Sequence, residues 1–433
     1  MSEVLPLILF LTILIFIMLG YPVAFTLGGV AIIFGVIAIG IEIFSLLPLR
    51  IYGIMNNFTL LAVPLFIFMG IILEKSNLAE SLLKSIAFSF GNRKGGLTLG
   101  VVLVGAILGA TTGVVGATVV TLAVIALPIL IENNYDKSLS AGTIATAGTL
   151  GQIVPPSIIL LLLADIVGVP VGRIFLGAIT PSLILILSYI LYILAITNSH
   201  NETKETSLES EQHVSKKELL FSTFPAVILI ILVMGAIILG IASPTESDAL
   251  GCLGAIGLAF ANRCLNLKIL FQAAVEASKL SSMVFAILIG ATTFSLVFKA
   301  TGGDMVIRDI FTEDFGKITF LIISMFIIFI LGFFLDFIEI CFILVPILLP
   351  VSAFFEIDPL WFSILIAINL QTSFLTPPFG FSIFYLKAAA KNTITTKEIY
   401  RGVIPFVLLQ LITLILVISF PKLVTWLPDY FDK

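Results

Sequence analysis

Two stretches decide how this chain is built: Gly148-Thr149-Leu150-Gly151-Gln152-Ile153-Val154-Pro155-Pro156-Ser157 and Thr372-Ser373-Phe374-Leu375-Thr376-Pro377-Pro378-Phe379-Gly380. Each interrupts a long apolar run, Leu139 to Val167 and Leu360 to Ala389. Pro155-Pro156 and Pro377-Pro378 lie 222 positions apart. Pro22 and Pro244 share that offset, as do Pro128 and Pro350. At an offset of about 224, Phe175-Leu176-Gly177 and Pro181 match Tyr400-Arg401-Gly402 and Pro405. Shared spacing at four proline positions marks two homologous halves.

The composition says what surrounds those breaks. The chain has 433 residues, 59% hydrophobic and 11% charged, with a mean hydropathy of +1.21. A soluble domain carries about 25% charged residues, so a water-soluble enzyme is excluded. Spanning helices need about 20 apolar residues each, which leaves room for about ten. A net charge of −4 and the lack of a basic block give no sign of nucleic-acid binding. Cys252, Cys264 and Cys341 sit in or beside apolar segments and read as small core residues. Met1-Ser2-Glu3 carries no positive charge, so the apolar run from Val4 reads as a retained first helix and not a signal peptide.

Apolar runs Leu5–Gly20 and Val23–Ile39 meet at Tyr21-Pro22, and Phe58–Leu73 is a third span. Ser76–Phe90 has the spacing of an interfacial helix. A hairpin candidate over 97–131, interrupted at Gly109-Ala110-Thr111-Thr112-Gly113, precedes the broken run at 139–167; Leu176–Thr197 follows. Gly105, Gly109 and Gly113 also have the spacing of close helix packing. Residues 198–218 form the extended polar linker, which holds both histidines, His200 and His213. The second half repeats the plan with Leu219–Ile241, Ala249–Phe260, an amphipathic Leu267–Lys279, Ser281–Phe298, a hairpin candidate over 318–351, the broken run at 360–389, and Val403–Phe420. The expected organisation is therefore a first repeat over 1–197, the linker, and a second repeat over 219–433.

Arg93-Lys94 follows the interfacial helix of half one, whereas the equivalent Glu313-Asp314-Phe315-Gly316-Lys317 is not positive. Conversely, Lys387, Lys391, Lys397 and Arg401 follow the second Pro-Pro break, where half one holds only Asp165 and Arg173. The positive bias changes sides between equivalent loops, as inverted-topology repeats require. This puts the linker inside and both termini outside. The expected fold is an all-α polytopic membrane protein of two inverted repeats, with about ten transmembrane helices and two re-entrant hairpins.

Inverted repeats with matching interrupted segments point to a secondary transporter. Proline frees the carbonyl one turn earlier, and an oxygen-rich break suits a hard cation such as Na⁺. Thr149, Ser157, Ser373 and Thr376 add hydroxyls, and half-helix N-termini favour a carboxylate. Asp336 and Glu339, in Gly332-Phe333-Phe334-Leu335-Asp336-Phe337-Ile338-Glu339, are acids in an apolar run and therefore functional candidates. They could bind a cation, carry a proton or pair with a buried base.

At these residues the chain resembles the large membrane subunit of tripartite ATP-independent periplasmic (TRAP) transporters. The likeness rests on Leu60-Leu61-Ala62-Val63-Pro64-Leu65-Phe66-Ile67-Phe68-Met69-Gly70, Gly148–Ser157, Ser243-Pro244-Thr245-Glu246 and Thr376–Gly380. Phe334–Glu339 and Gln371–Tyr385 resemble the branch labelled mannitol/chloroaromatic. The resemblance implies a bacterial inner-membrane protein that takes up an organic acid delivered by a periplasmic binding protein. It also implies a small four-helix membrane subunit, Na⁺ as coupling ion, no cofactor, and a transport domain moving as an elevator. No small-subunit helices precede Met1, which makes that partner a separate protein.

Carried over, the family's sodium regions fall on Thr111, Thr112, Gly113, Gly148, Thr149 and Gly151, and on Gly332, Asp336, Ser373 and Thr376. Pro155, Pro156, Ser157, Glu339, Pro377, Pro378 and Gly380 fall on the transport path. The first tip has Thr112 where many members have serine beside the glycine, which keeps the hydroxyl. The main alternative is a self-sufficient Na⁺- or H⁺-coupled anion or dicarboxylate carrier. A membrane enzyme lacks any catalytic constellation, an ATP-driven pump lacks a phosphate-binding loop, and paired broken helices fit alternating access better than a channel.

Overall fold

The computed structural model describes residues 4–76, 95–199, 216–314, 316–391 and 393–432. Most of the Ser76–Phe90 stretch, Arg93-Lys94, His200 and His213 lie outside them. In half one, α1 (Leu5–Met18) and α2 (Val23–Ala38) are followed by a 3-10 turn, α3 (Leu47–Met55) and α4 (Phe58–Lys75). Next come α5 (Gly96–Thr112), α6 (Val115–Glu132), α7 (Lys137–Thr149), α8 (Ile158–Val167) and α9 (Val171–Ser199). Half two has α10 (Lys216–Ile238), α11 (Pro244–Ala261), α12 (Leu267–Ala300), α13 (Gly303–Asp314), α14 (Lys317–Leu331) and α15 (Phe337–Phe354). It closes with α16 (Pro359–Leu375), α17 (Phe381–Ala390), α18 (Thr396–Ser419) and α19 (Lys422–Phe431).

Many elements recur between the halves. Adding 222 to the bounds of α6 gives those of α15. Asp136 and Asp358, at the same offset, are both helix N-caps and accept hydrogen bonds from the backbone N–H groups of Leu139 (2.8 Å) and Trp361 (3.0 Å). In an apolar medium the first-turn N–H groups need such acceptors. The Ser243-Pro244-Thr245-Glu246 stretch is a capping box: Glu246 Oε2 accepts from Ser243 N at 2.8 Å.

Helices α5–α6 and α14–α15 are hairpins. The pairs α7–α8 and α16–α17 are helices broken near their middles. Counting each broken pair as one passage gives five long passages per half among the described residues. By length and composition, six individual helices among the described residues suffice to cross a membrane. Large apolar side chains such as Phe25, Ile37, Leu49 and Phe260 lie exposed, as a surface facing hydrocarbon requires.

One expectation is corrected. Leu267–Lys279 and Ser281–Phe298 do not form separate segments; both belong to the 34-residue α12. Between Lys279 and Ser281 stands only Leu280, and neither Gly nor Pro is present to stop the helix. In half one the equivalent stretch is divided by Asn56-Asn57, where the Asn57 side chain caps α4.

Two groups of helices emerge. In the outer group α12 packs along α2 and α4, and α11 along α4 and α10. Gly290 makes the first contact possible, because a Cβ there would lie 2.5 Å from Ala24 O. In the inner group the two hairpins enclose the two broken helices, and α9 and α18 pack across them.

Candidate functional site

Each hairpin tip closes on the break of its own half. At the first tip, α5 ends at Gly113, whose φ of +61° turns the chain into α6. A Cβ at Gly109 would lie 2.5 Å from Gly151 N, and one at Gly105 2.5 Å from the Ala147 side chain. These glycines therefore serve close packing, and Gly113 rests against Ile158. Thr111 Oγ1 donates to Leu108 O at 2.8 Å, and the Thr112 and Thr118 hydroxyls share a bond of 2.8 Å. At the second tip, a Cβ on Gly332 would overlap Ser373 Oγ, and the Phe334 and Phe379 rings lie 5.5 Å apart.

The halves also interlock. α6 packs on α17 of the other half, with Gly116 under the Tyr385 ring, and α15 packs on α8. At the centre Gln371 Nε2 donates to Thr149 Oγ1 at 3.3 Å. These residues are 222 positions apart, so the bond joins equivalent positions of the two repeats.

The breaks partly satisfy themselves. Pro156 and Pro378 deprive the carbonyls of Gln152 and Phe374 of their helical donors. Serine hydroxyls replace them: Ser157 donates to Gln152 O at 3.0 Å and Ser382 to Phe374 O at 2.8 Å. Ser182 on α9 donates to Ile153 O at 2.9 Å. Thr149 donates to Thr146 O at 2.8 Å, Ser373 to Leu370 O at 2.9 Å, and Thr376 to Thr372 O at 2.7 Å. Fewer carbonyls are free than the prolines alone suggest. The hydroxyl oxygens keep lone pairs toward the breaks.

Both Pro-Pro bonds are cis. Pro155, Pro156 and Ser157 are buried, whereas Pro378 and Phe379 are exposed and Gly380 is buried. The two breaks are therefore alike in sequence but unlike in access. Gly148 and Gly151 are buried, as are Thr111, Thr112 and Ser373.

Asp336 and Glu339 have a structural explanation that the sequence did not suggest. Asp336 is the N-cap of α15, its Oδ1 accepting from Phe337 N at 2.8 Å, and Glu339 Oε2 accepts from Asp336 N at 3.0 Å. The pair is a capping box at the second tip. No Lys or Arg pairs with it among the described residues.

Other polar groups were not anticipated. Gln152 is fully buried and neither amide atom has a hydrogen-bond partner among the described residues; the same holds for Gln371 Oε1, Thr143 Oγ1 and Thr146 Oγ1. Polar side chains in apolar runs are a usable signal. Gln152 stands inside the first break and Gln371 immediately before the second. Among the described residues no group of three His, Cys, Asp or Glu is placed to hold a metal ion. Oxygen ligands for a cation would come from hydroxyls, amides and backbone, with Asp336 the carboxylate at the second tip.

A family model described as "Tripartite ATP-independent periplasmic transporter, DctM component" matches residues 10–423. The chain belongs to that family. It is 27% identical to the C4-dicarboxylate TRAP transporter large permease protein of Vibrio cholerae serotype O1, over 97% of each chain. It is also 27% identical to the ectoine/5-hydroxyectoine TRAP transporter large permease protein of Ruegeria pomeroyi, over 97% of this chain and 98% of that one. Among solved structures, the YdaH transporter of Alcanivorax borkumensis superposes with a TM-score of 0.63 at 13% identity, covering 89% of this chain and 90% of that one. That likeness supports the all-α polytopic fold. The TRAP large permease is thus a multi-pass inner-membrane transport protein and not an enzyme.

Proposed function

We propose that this TRAP large permease carries an organic acid, handed over by a periplasmic binding protein, into the cell on the energy of a Na⁺ gradient. A small four-helix membrane subunit supports it. The carrying observation is that the family match runs through both hairpin–break pairs, where buried hydroxyl and amide oxygens gather and where no Lys or Arg forms an ion pair among the described residues. The first Na⁺ region comprises Thr111, Thr112 and Gly113 against Gly148, Thr149 and Gly151. The second comprises Gly332 and Asp336 against Ser373 and Thr376. The Pro155-Pro156-Ser157 and Pro377-Pro378-Gly380 corners, with Glu339, border the solute path. The repeats over 1–197 and 219–433 are inverted about the Thr149–Gln371 contact, and the inner group moves as an elevator against the outer group.

The test is solute uptake into proteoliposomes holding the chain, its small subunit and its binding protein, with each component omitted in turn. Uptake that vanishes on omitting the binding protein supports the reading. Uptake by this chain alone makes it a self-sufficient carrier and overturns the tripartite assignment.

A further inference from the structure

Below the Gly70–Thr112 contact, a cavity of about 350 Å³ opens between the first hairpin tip and the outer-group helices α4 and α12. Thr112 and Val114 line it from the tip, Glu74 from α4, and Glu276 and Lys279 from α12. Its size is in the range of small-molecule sites.

The charges around it are sorted. Glu276 Oε1 is paired with Lys75 Nζ at 3.0 Å. Glu74 holds only a neutral donor, Thr121 Oγ1, at 2.9 Å. Lys279 has no ion-pair partner among the described residues. The cavity therefore keeps one carboxylate and one ammonium, on different helices, neither in an ion pair among the described residues; the charge of Lys75, paired with Glu276, also reaches Glu74. With Glu276 neutralised by Lys75, a dicarboxylate would place one carboxylate on Lys279 and the other against Glu74, a like charge. A solute with one carboxylate and one cationic group would find a partner for each.

We propose that this cavity is a charge-selective solute site for zwitterionic carboxylates. Lys279 takes the carboxylate and Glu74 the cationic group, beside the Thr112 tip. The inference rests on the uptake reading, in which a solute released at the tip passes between the hairpin and the outer-group helices. It goes further by naming the solute class.

The test uses the full chain with its small subunit in nanodiscs. Ala117, a cavity-lining residue, is changed to Cys, and the rate of maleimide labelling is followed. The probes are glycine betaine, β-alanine and γ-aminobutyrate as zwitterionic carboxylates, and succinate and malate as dianions. At least one zwitterion is expected to slow labelling several-fold, and neither dianion to do so. Glu74→Gln and Lys279→Gln should each weaken protection about tenfold, the loss of one charge-assisted hydrogen bond. Glu74→Asp and Lys279→Arg should retain it, which separates lost charge from lost folding. Protection by the dianions, protection by no zwitterion, or protection that survives both Gln variants overturns the proposal. Labelling needs neither binding protein nor Na⁺ gradient. Failure here with intact Na⁺-driven uptake sinks only the zwitterion site; intact protection without such uptake sinks only the coupling.

Discussion

At Gly332 the absence of a side chain sets the distance between the second hairpin tip and its break. A Cβ there would overlap Ser373 Oγ, and a ligand oxygen displaced by even an ångström loses its geometry. Gly332→Ala should leave a folded protein whose half-saturating Na⁺ concentration for uptake rises at least about tenfold. Sodium titration of uptake measures this. Asp336 separates two roles. As an N-cap it can be replaced by Asn with little loss, whereas Ala costs about 1 kcal/mol. Asp336→Asn should therefore keep its thermal stability and, with the carboxylate as the proposed ion ligand, need about tenfold more Na⁺. Unchanged Na⁺ dependence in that variant would leave Asp336 a cap alone.

These residues also show how far the sequence could be read. The hydroxyls of Thr149, Ser157, Ser373 and Thr376 were visible as candidates, but their donation to nearby carbonyls was not. Such bonds depend on where a broken backbone puts its carbonyls, and residue spacing does not encode that. The capping box of Asp336 and Glu339 was legible in principle, as an acid followed three residues later by Glu at a helix start. It was hidden because the apolar run masked the helix boundary.

Among elements, α7 and α18 approach very closely. A Cβ at Gly142 would overlap Gly402 O, and one at Gly402 would overlap Ser138 O. The two helices meet backbone to backbone, as small residues permit in a membrane. Gly402→Leu should force them apart and destabilise the protein by about 1–3 kcal/mol, as overpacking does. A lowered melting temperature and reduced yield of monodisperse protein would show it. The offset of 222 made the order of elements legible, including both hairpins and both breaks. It could not show that α12 runs unbroken, because half one is divided at the equivalent place. Nor could it show that each hairpin's second helix packs on the other half's broken helix, since that contact comes from the inverted relation of the repeats.

For the whole molecule, the account requires the inner group to move against the outer group. Hydrogen bonds link them, Thr121 to Glu74 and, at a place open to cross-linking, Asn57 Nδ2 on the cap of α4 to Asp165 Oδ1 on α8 at 2.6 Å. An elevator stroke must break that contact. Cross-linking the Asn57→Cys/Asp165→Cys pair should abolish uptake, and reduction should restore it. Full uptake by the cross-linked protein would mean that α8 and α4 do not separate during transport. The exposure of Pro378 and Phe379 against the burial of Pro155 and Pro156 shows the two breaks in different environments within one conformation. Sequence symmetry alone cannot convey that, since equal sequences occupy unequal places whenever one side of a carrier is closed.

Coupling to Na⁺ is the claim on which the rest depends. The most direct measurement is solute uptake into proteoliposomes of the complete three-component transporter at fixed membrane potential and equal pH on both sides, with and without an inward Na⁺ gradient. The account predicts accumulation above the external concentration only with the gradient, and its loss in Gly332→Ala at the same Na⁺ concentration. Equal accumulation without Na⁺, or accumulation that follows an imposed proton gradient instead, would contradict it.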